Sequence, residues 1–320
     1  MKNLRNMIFV TLLLTLSCGK ETPEKIIWEE VNSNTKLQFR DVQMWDDSVA
    51  YAVGGDNWNQ GIASQTNDGG RTWRTDFVAD KQLRGIAFDE KGVAYAGGID
   101  GYLLYKKTKN DAWFFYRQQH WESITDLAYF DARHGVAVGG IGYQNGVIMP
   151  ILGKEFTKIG YQLLLNELAS VCFSDANTMH AVGYGIVTRS KDNGATWQQR
   201  NIDGDFFRSV HFPTASVGYA VGSSGTIIKT TDGGENWSKL RDGSSHFVST
   251  EPFKAVFFTS EKNGYIVGDK GLFWYTENGG DDWEQVENFP SDVDFAGICL
   301  RPNGAGIIVG SKGRIFRFHE

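Results

Sequence analysis

The stretch Gly218-Tyr219-Ala220-Val221-Gly222-Ser223-Ser224-Gly225-Thr226-Ile227-Ile228-Lys229-Thr230-Thr231-Asp232-Gly233-Gly234-Glu235-Asn236-Trp237 decides the fold. It reads as an apolar strand ending in glycine, an alternating strand over Thr226 to Thr230, a glycine turn, and a tryptophan that opens a further strand. Alternation with period two marks a strand with two distinct faces. The opening phrase recurs as Ala52-Val53-Gly54, Ala96-Gly97-Gly98, Ala137-Val138-Gly139, Ala181-Val182-Gly183, Ile266-Val267-Gly268 and Ile308-Val309-Gly310. Aligned on Gly54, Gly97, Gly139, Gly183, Gly222, Gly268 and Gly310, the copies stand 43, 42, 44, 39, 46 and 42 residues apart. About ten residues before each anchor lies another alternating pair, such as Val42/Met44, Val171/Phe173 or Val256/Phe258. Four short strands in a period near 42, read seven times, predict an all-β, seven-bladed propeller with four-stranded blades.

The turn carries its own signature, S/T-x-D-x-G-x-x-W, the Asp-box. Copies run from Thr66 through Asp68 to Trp73, from Ser190 through Asp192 to Trp197, and from Thr230 through Asp232 to Trp237. A fourth, Thr276 to Trp283, has Asn278 in place of the acid; Trp113 keeps the indole alone. The chemistry suits a structural role, since a carboxylate can accept backbone N–H groups of its own turn, glycine tolerates positive φ and the indole fills space between layers. The last repeat stops after its third strand at Phe318, while Ile26 to Val31 at the other end matches Trp283-Glu284-Gln285-Val286. The N-terminal segment is therefore expected to supply the outer strand of the last blade and close the ring, leaving no open edge.

Composition agrees. Glycine is 38 of 320 residues, well above the usual share of about 7%. The 10 Trp, 12 Tyr and 21 Phe provide a large core, and a net charge of -6 argues against a general nucleic-acid binder. Lys2 and Arg5 precede an apolar run from Met7 to Leu16, and Leu14-Thr15-Leu16-Ser17-Cys18 resembles a bacterial lipobox, departing from it at Thr15. Residues 1–17 are thus expected to be a lipoprotein signal peptide, Cys18 the lipidated residue, 18–25 a tether and 26–320 a single propeller domain. Gly19 after the cysteine favours the outer membrane within the cell envelope.

The phrases G-Y-A-V-G, G-x-I-x-K-T and T-D-G-G-x-x-W, best seen from Gly218 to Trp237, resemble the photosystem II stability/assembly factor family, a branch of the BNR/Asp-box propellers. The resemblance covers roughly residues 26 to 320. It implies a non-catalytic, monomeric scaffold that binds a protein partner, in a membrane or secreted complex, without a cofactor.

The alternative is a carbohydrate-active enzyme or lectin. Sialidases share the Asp-box but resemble six-bladed rings, and glycosidases need two carboxyls about 5 to 9.5 Å apart. Asp41 and Asp126, at the starts of inner strands, are the candidates for such a pair. The six histidines show no H-x-H or H-E-x-x-H spacing, so no metal site is expected. A binding site is suggested by position instead. The residue two before the core aliphatic of each inner strand reads Arg40, Arg84, Thr125, Ala169, Arg208, Lys254 and Ala296. Four basic groups in an acidic protein would form a rim at one mouth of the channel, with their stems buried. Salt bridges to Asp41 and Asp126 are the plainer account of the same charges. Trp58 and Tyr143, in loops expected on that face, complete the candidate surface. Cys172 and Cys299 share one strand position in repeats far apart round the ring, and are expected to be free, buried thiols.

Overall fold

A computed structural model describes residues 26–56, 58–117, 121–153, 155–156, 161–250, 252–301 and 304–319. The leader, Cys18 and the tether lie outside the described residues. The first repeat shows the unit: Phe39–Met44, Ala50–Gly55, Gly61–Thr66 and Arg74–Ala79 pair antiparallel in sequence order. The second strands, such as Gly218–Gly222, Gly264–Gly268 and Gly306–Gly310, are buried throughout, as sequence pattern and position both require. Apolar side chains from facing sheets meet between them; Phe39, Val42 and Ile62 of the first sheet pack on Ile307, Val309 and Ile315 of the last. The architecture is an all-β propeller built on four-stranded sheets.

Two expectations need correction. The seven separate sheets expected are six among the described residues: four with four strands, one with five and one with six. The reason is the strand Gln198–His211, fourteen residues without a break, whose first part pairs with Met179–Ser190 and whose second pairs with Gly218–Gly222. It runs through where a loop was expected and joins the fourth and fifth repeats into one hydrogen-bonded sheet. That sheet still folds over an apolar core, with Val182 and Val187 against Phe207, Val210 and Ile228.

The second anchor is also displaced by one. Gly98, not Gly97, pairs with Leu83 as Gly54 pairs with Phe39 and Gly139 with Ile124. The Ala-Gly-Gly sequence hid this, and packing decides it. A Cβ on Gly98 would lie 2.2 Å from the Gln82 carbonyl oxygen, as one on Gly54 would lie 2.0 Å from that of Gln38.

At the chain ends, Ile27–Val31 pairs antiparallel with Ile315–His319, placing it fourth in the sheet of Phe295–Leu300. Trp28 is half-buried there, stacked 4.4 Å from Phe289 and edge-on to Phe316 at 5.7 Å. Among the described residues no helix is long and apolar enough to cross a membrane, and no group of three His, Cys, Asp or Glu is placed to hold a metal ion.

Candidate binding mouth of the central channel

Each inner strand carries one irregularity, and it falls at the same place. Register shifts lie between Phe39 and Asp41, Leu83 and Gly85, Ile124 and Asp126, Leu168 and Ser170, Phe207 and Ser209, Phe253 and Ala255, and Phe295 and Gly297. The skipped residues are Arg40, Arg84, Thr125, Ala169, Arg208, Lys254 and Ala296. A bulge leaves its extra residue out of the ladder and re-aims the side chain. Here that device turns all seven side chains to one opening of about 370 Å³, shared with Glu167.

The structure therefore brings the four predicted basic residues together, and the plainer pairing with Asp41 and Asp126 is replaced by other contacts. Arg84 donates to Ser123 Oγ at 3.3 Å and Arg208 Nε to Ser223 Oγ at 2.6 Å. Lys254 alone has a carboxylate partner, Asp269 at 3.2 Å. Burial, and after it the guanidiniums of Arg84 and Arg208, push the Arg40 guanidinium below its ordinary range. Three like charges thus feel one another across the mouth. Glu167, which accepts the Tyr143 N–H at 2.7 Å, partly offsets them.

Below the rim the channel continues as a cavity of about 310 Å³, walled in part by Asp41, Asp126, Cys172, His211 and Cys299. Asp41 Oδ1 accepts the Val42 N–H at 2.7 Å and Oδ2 accepts Ile86 N–H of the next sheet at 3.0 Å. Asp126 repeats this with Leu127 at 2.8 Å and Val171 at 2.9 Å. Ser170 and Ser209 do the same for Val210 and Val256 at 3.4 and 3.2 Å. The two aspartates are thus ties between neighbouring inner strands. Burial, then the charge of Asp126, raises the Asp41 carboxyl to about 8; burial raises Asp126 to about 6. Both cysteines are free; Cys299 is buried, Cys172 only half-buried, and burial raises both thiols.

Of the aromatic candidates, Tyr143 reaches the site and Trp58 does not. Tyr143 is 54% exposed and packs 5.2 Å from Tyr184 and 5.6 Å from Phe206, while Arg208 lies 3.8 Å over the Phe206 ring. These groups line a cleft of about 550 Å³ that meets the mouth at Arg208. Trp58, 66% exposed, stands apart under Lys81 Nζ at 5.5 Å. Sequence reading missed Glu167, Tyr184 and Phe206. Glu167 and Phe206 stand two residues before mouth positions Ala169 and Arg208, a spacing that would have found both.

The Asp-boxes sit at the opposite end of the sheets, since Thr66 is in register with Ala50 and Met44 while Gly54 is in register with Phe39. Asp68 Oδ1 accepts from Thr66 Oγ1 and Thr72 N at 2.8 and 2.9 Å, and Trp73 Nε1 donates to Gly70 O at 3.1 Å. Asp192 and Trp197 reproduce it. Asp232 does so with Thr230 and Asn236, whose backbone N–H and side-chain amide hold its carboxyl down to about 2. Trp237 packs edge-on to Phe212 at 5.8 Å. In the fourth box the acid has moved: Asn278 Nδ2 donates to Asp282 at 3.0 Å, and Trp283 packs on Phe258 at 6.0 Å.

Residues 202–291 match the family described as Photosynthesis system II assembly factor YCF48. Comparison with curated proteins gives no match. Among solved structures, YCF48 bound to a D1 peptide superposes with a TM-score of 0.70 at 18% identity, over 92% of this chain and 95% of that one. YCF48 from Cyanidioschyzon merolae gives 0.69 at 13%, over 91% and 98%. The WD40 β-propeller domain of Doa1 gives 0.72 at 13%, over 91% and 95%, so these likenesses speak for the fold. The chain resembles the photosystem II assembly-factor propellers, by sequence over residues 202–291 and by fold over nine-tenths of its length.

Proposed function

We propose that the chain is a non-catalytic scaffold that captures an acidic segment of a protein partner at the channel mouth, held at the cell envelope by lipid on Cys18. One observation carries the reading: Arg40, Arg84 and Arg208 converge on bulges that point them into one opening, with no carboxylate in an ion pair with any of them among the described residues. Unpaired cations in an acidic body form a local positive field, which steers an acidic partner and sets its association rate. The Tyr143–Tyr184–Phe206 cleft beside Arg208 offers the same segment an aromatic wall. That a YCF48 was solved with a peptide supports a peptide-binding use of this architecture. The proposal treats the two halves of the six-stranded sheet as separate units of a sevenfold ring, closed by Ile27–Val31, because each half brings one bulged residue to the mouth. The carboxylates that a glycosidase would require are engaged with strand amides instead.

The test is fluorescence anisotropy with a short labelled poly-glutamate peptide. Binding that weakens with salt and is lost in the combined Arg40→Ala, Arg84→Ala, Arg208→Ala, Lys254→Ala protein supports the proposal. Binding that survives those changes would falsify it.

A further inference from the structure

Away from the mouth, one repeat position carries a basic residue that bridges to the Asp-box of the following repeat. Arg189 Nη1 donates to Gly233 O at 2.9 Å, Lys229 Nζ to Gly279 O at 2.9 Å and Arg317 Nε to Gly69 O at 3.1 Å. Two residues further along the box stand Glu235, Asp281 and Arg71, respectively. Where that residue is Glu235, it closes the seam with an ion pair to Arg189 Nη2 at 2.9 Å over a groove of about 270 Å³. At the seam between the last and first repeats it is Arg71, of like charge to Arg317, and the groove widens to about 480 Å³. A third guanidinium enters there. Arg301 follows the inner strand Phe295–Leu300, at the place held by Ser174 and Pro213 in the fourth and fifth repeats.

These three arginines are under-used by the protein. The Arg301 side chain is 15% exposed, and its buried Nε has no hydrogen-bond partner; Asp47 stands 3.6 Å away with its own side chain 86% exposed. Arg317 pairs with Glu29, while exposed Arg71 reaches only the Asp68 carbonyl at 2.9 Å. Three guanidiniums against two carboxylates leave the groove positive in a protein of net charge -6. A planar carboxylate is satisfied by one guanidinium fork, whereas a tetrahedral phosphate presents oxygens in three directions.

We propose that the groove between Arg71, Arg301 and Arg317 binds a phosphate group. It lies at the Asp-box end of the sheets and is independent of the reading given to the mouth. The phosphate may be inorganic or part of a lipid headgroup, and the experiment separates the two. Calorimetric titration of the full-length protein in non-ionic detergent is carried out with inorganic phosphate, dihexanoyl phosphatidic acid and dihexanoyl phosphatidylcholine. Saturable binding of phosphate and phosphatidic acid, weakened about tenfold or more by Arg71→Glu and by Arg301→Gln, is expected, because each removes a charge-assisted contact. Phosphatidic acid binding alone, with the same dependence, assigns the groove to a lipid headgroup. Arg71 is exposed, so its variant tests the site without disturbing the core. The proposal is overturned by absence of saturable binding to either phosphate compound. It is equally overturned if binding persists in both variants, or is abolished by Arg40→Ala and Arg208→Ala at the mouth instead.

Discussion

The two ends of the sheets are built by opposite rules. At the Asp-box end the same residues recur and satisfy one another: Thr66, Ser190, Thr230 and Thr276 each accept a glycine N–H and donate to the residue two ahead. At the mouth the backbone recurs while the residues do not: a bulge in every inner strand presents Arg, Arg, Thr, Ala, Arg, Lys and Ala. Repetition of side chains marks what every sheet needs to fold. A repeated backbone with varied side chains marks a surface free to serve something else, and Arg71, where a box departs from its relatives, belongs with the second kind.

The sharpest break in that comparison is at the chain ends. Removing Ile26 to Val31 strips the last sheet of its fourth strand and exposes Phe289 and Phe316, so the protein should lose its cooperative melting transition. Trp28→Ala alone should cost about 3 to 5 kcal/mol, the range for a truncated Trp in a core, read by chemical denaturation. An unchanged midpoint for the deletion would show that the strand is dispensable.

Within the boxes, Asp232→Ala leaves the Asn236 N–H and the Thr230 hydroxyl without their acceptor and should cost about 1 to 3 kcal/mol by the same measurement. The same truncation at Asn278 should cost less, because Asp282 keeps a carboxylate in that turn.

The channel wall predicts a pH effect of unusual sign. A carboxyl raised to about 8 binds its proton more tightly in the folded protein than in the unfolded chain. The stability this contributes is complete below the unfolded value of about 4 and is lost as pH rises towards 8. Melting temperature should accordingly fall across that window, and Asp41→Asn should flatten the fall whatever its absolute stability. A wild-type melting temperature that rises from pH 4 to 8 through this site would contradict the burial-raised carboxyl.

The smallest change in stability belongs to the rim. The combined alanine protein with Arg40, Arg84, Arg208 and Lys254 replaced should melt within a degree or two of the parent, since surface changes usually lie within about 0.5 kcal/mol. Loss of folding there would assign the four side chains to the frame, on the side of the Asp-boxes.

The amino-acid sequence by itself determined the repeat, the Asp-boxes and the register of the basic residues, because strand alternation and turn chemistry are local and recur every forty-odd residues. It also singled out Ile26 to Val31, through likeness to a strand in another repeat. Only the tertiary structure decided what depends on neighbours across a seam. Whether two repeats share one sheet turned on an unbroken ladder through Gln198–His211, and whether Gly97 or Gly98 anchors the second repeat turned on a carbonyl 2.2 Å from an absent Cβ. The aspartates became ties and not rim partners because their oxygens meet amides of strands about forty-five residues away. Local pattern can place a side chain on a face; which group it meets there is set by packing between sheets, which no single repeat contains.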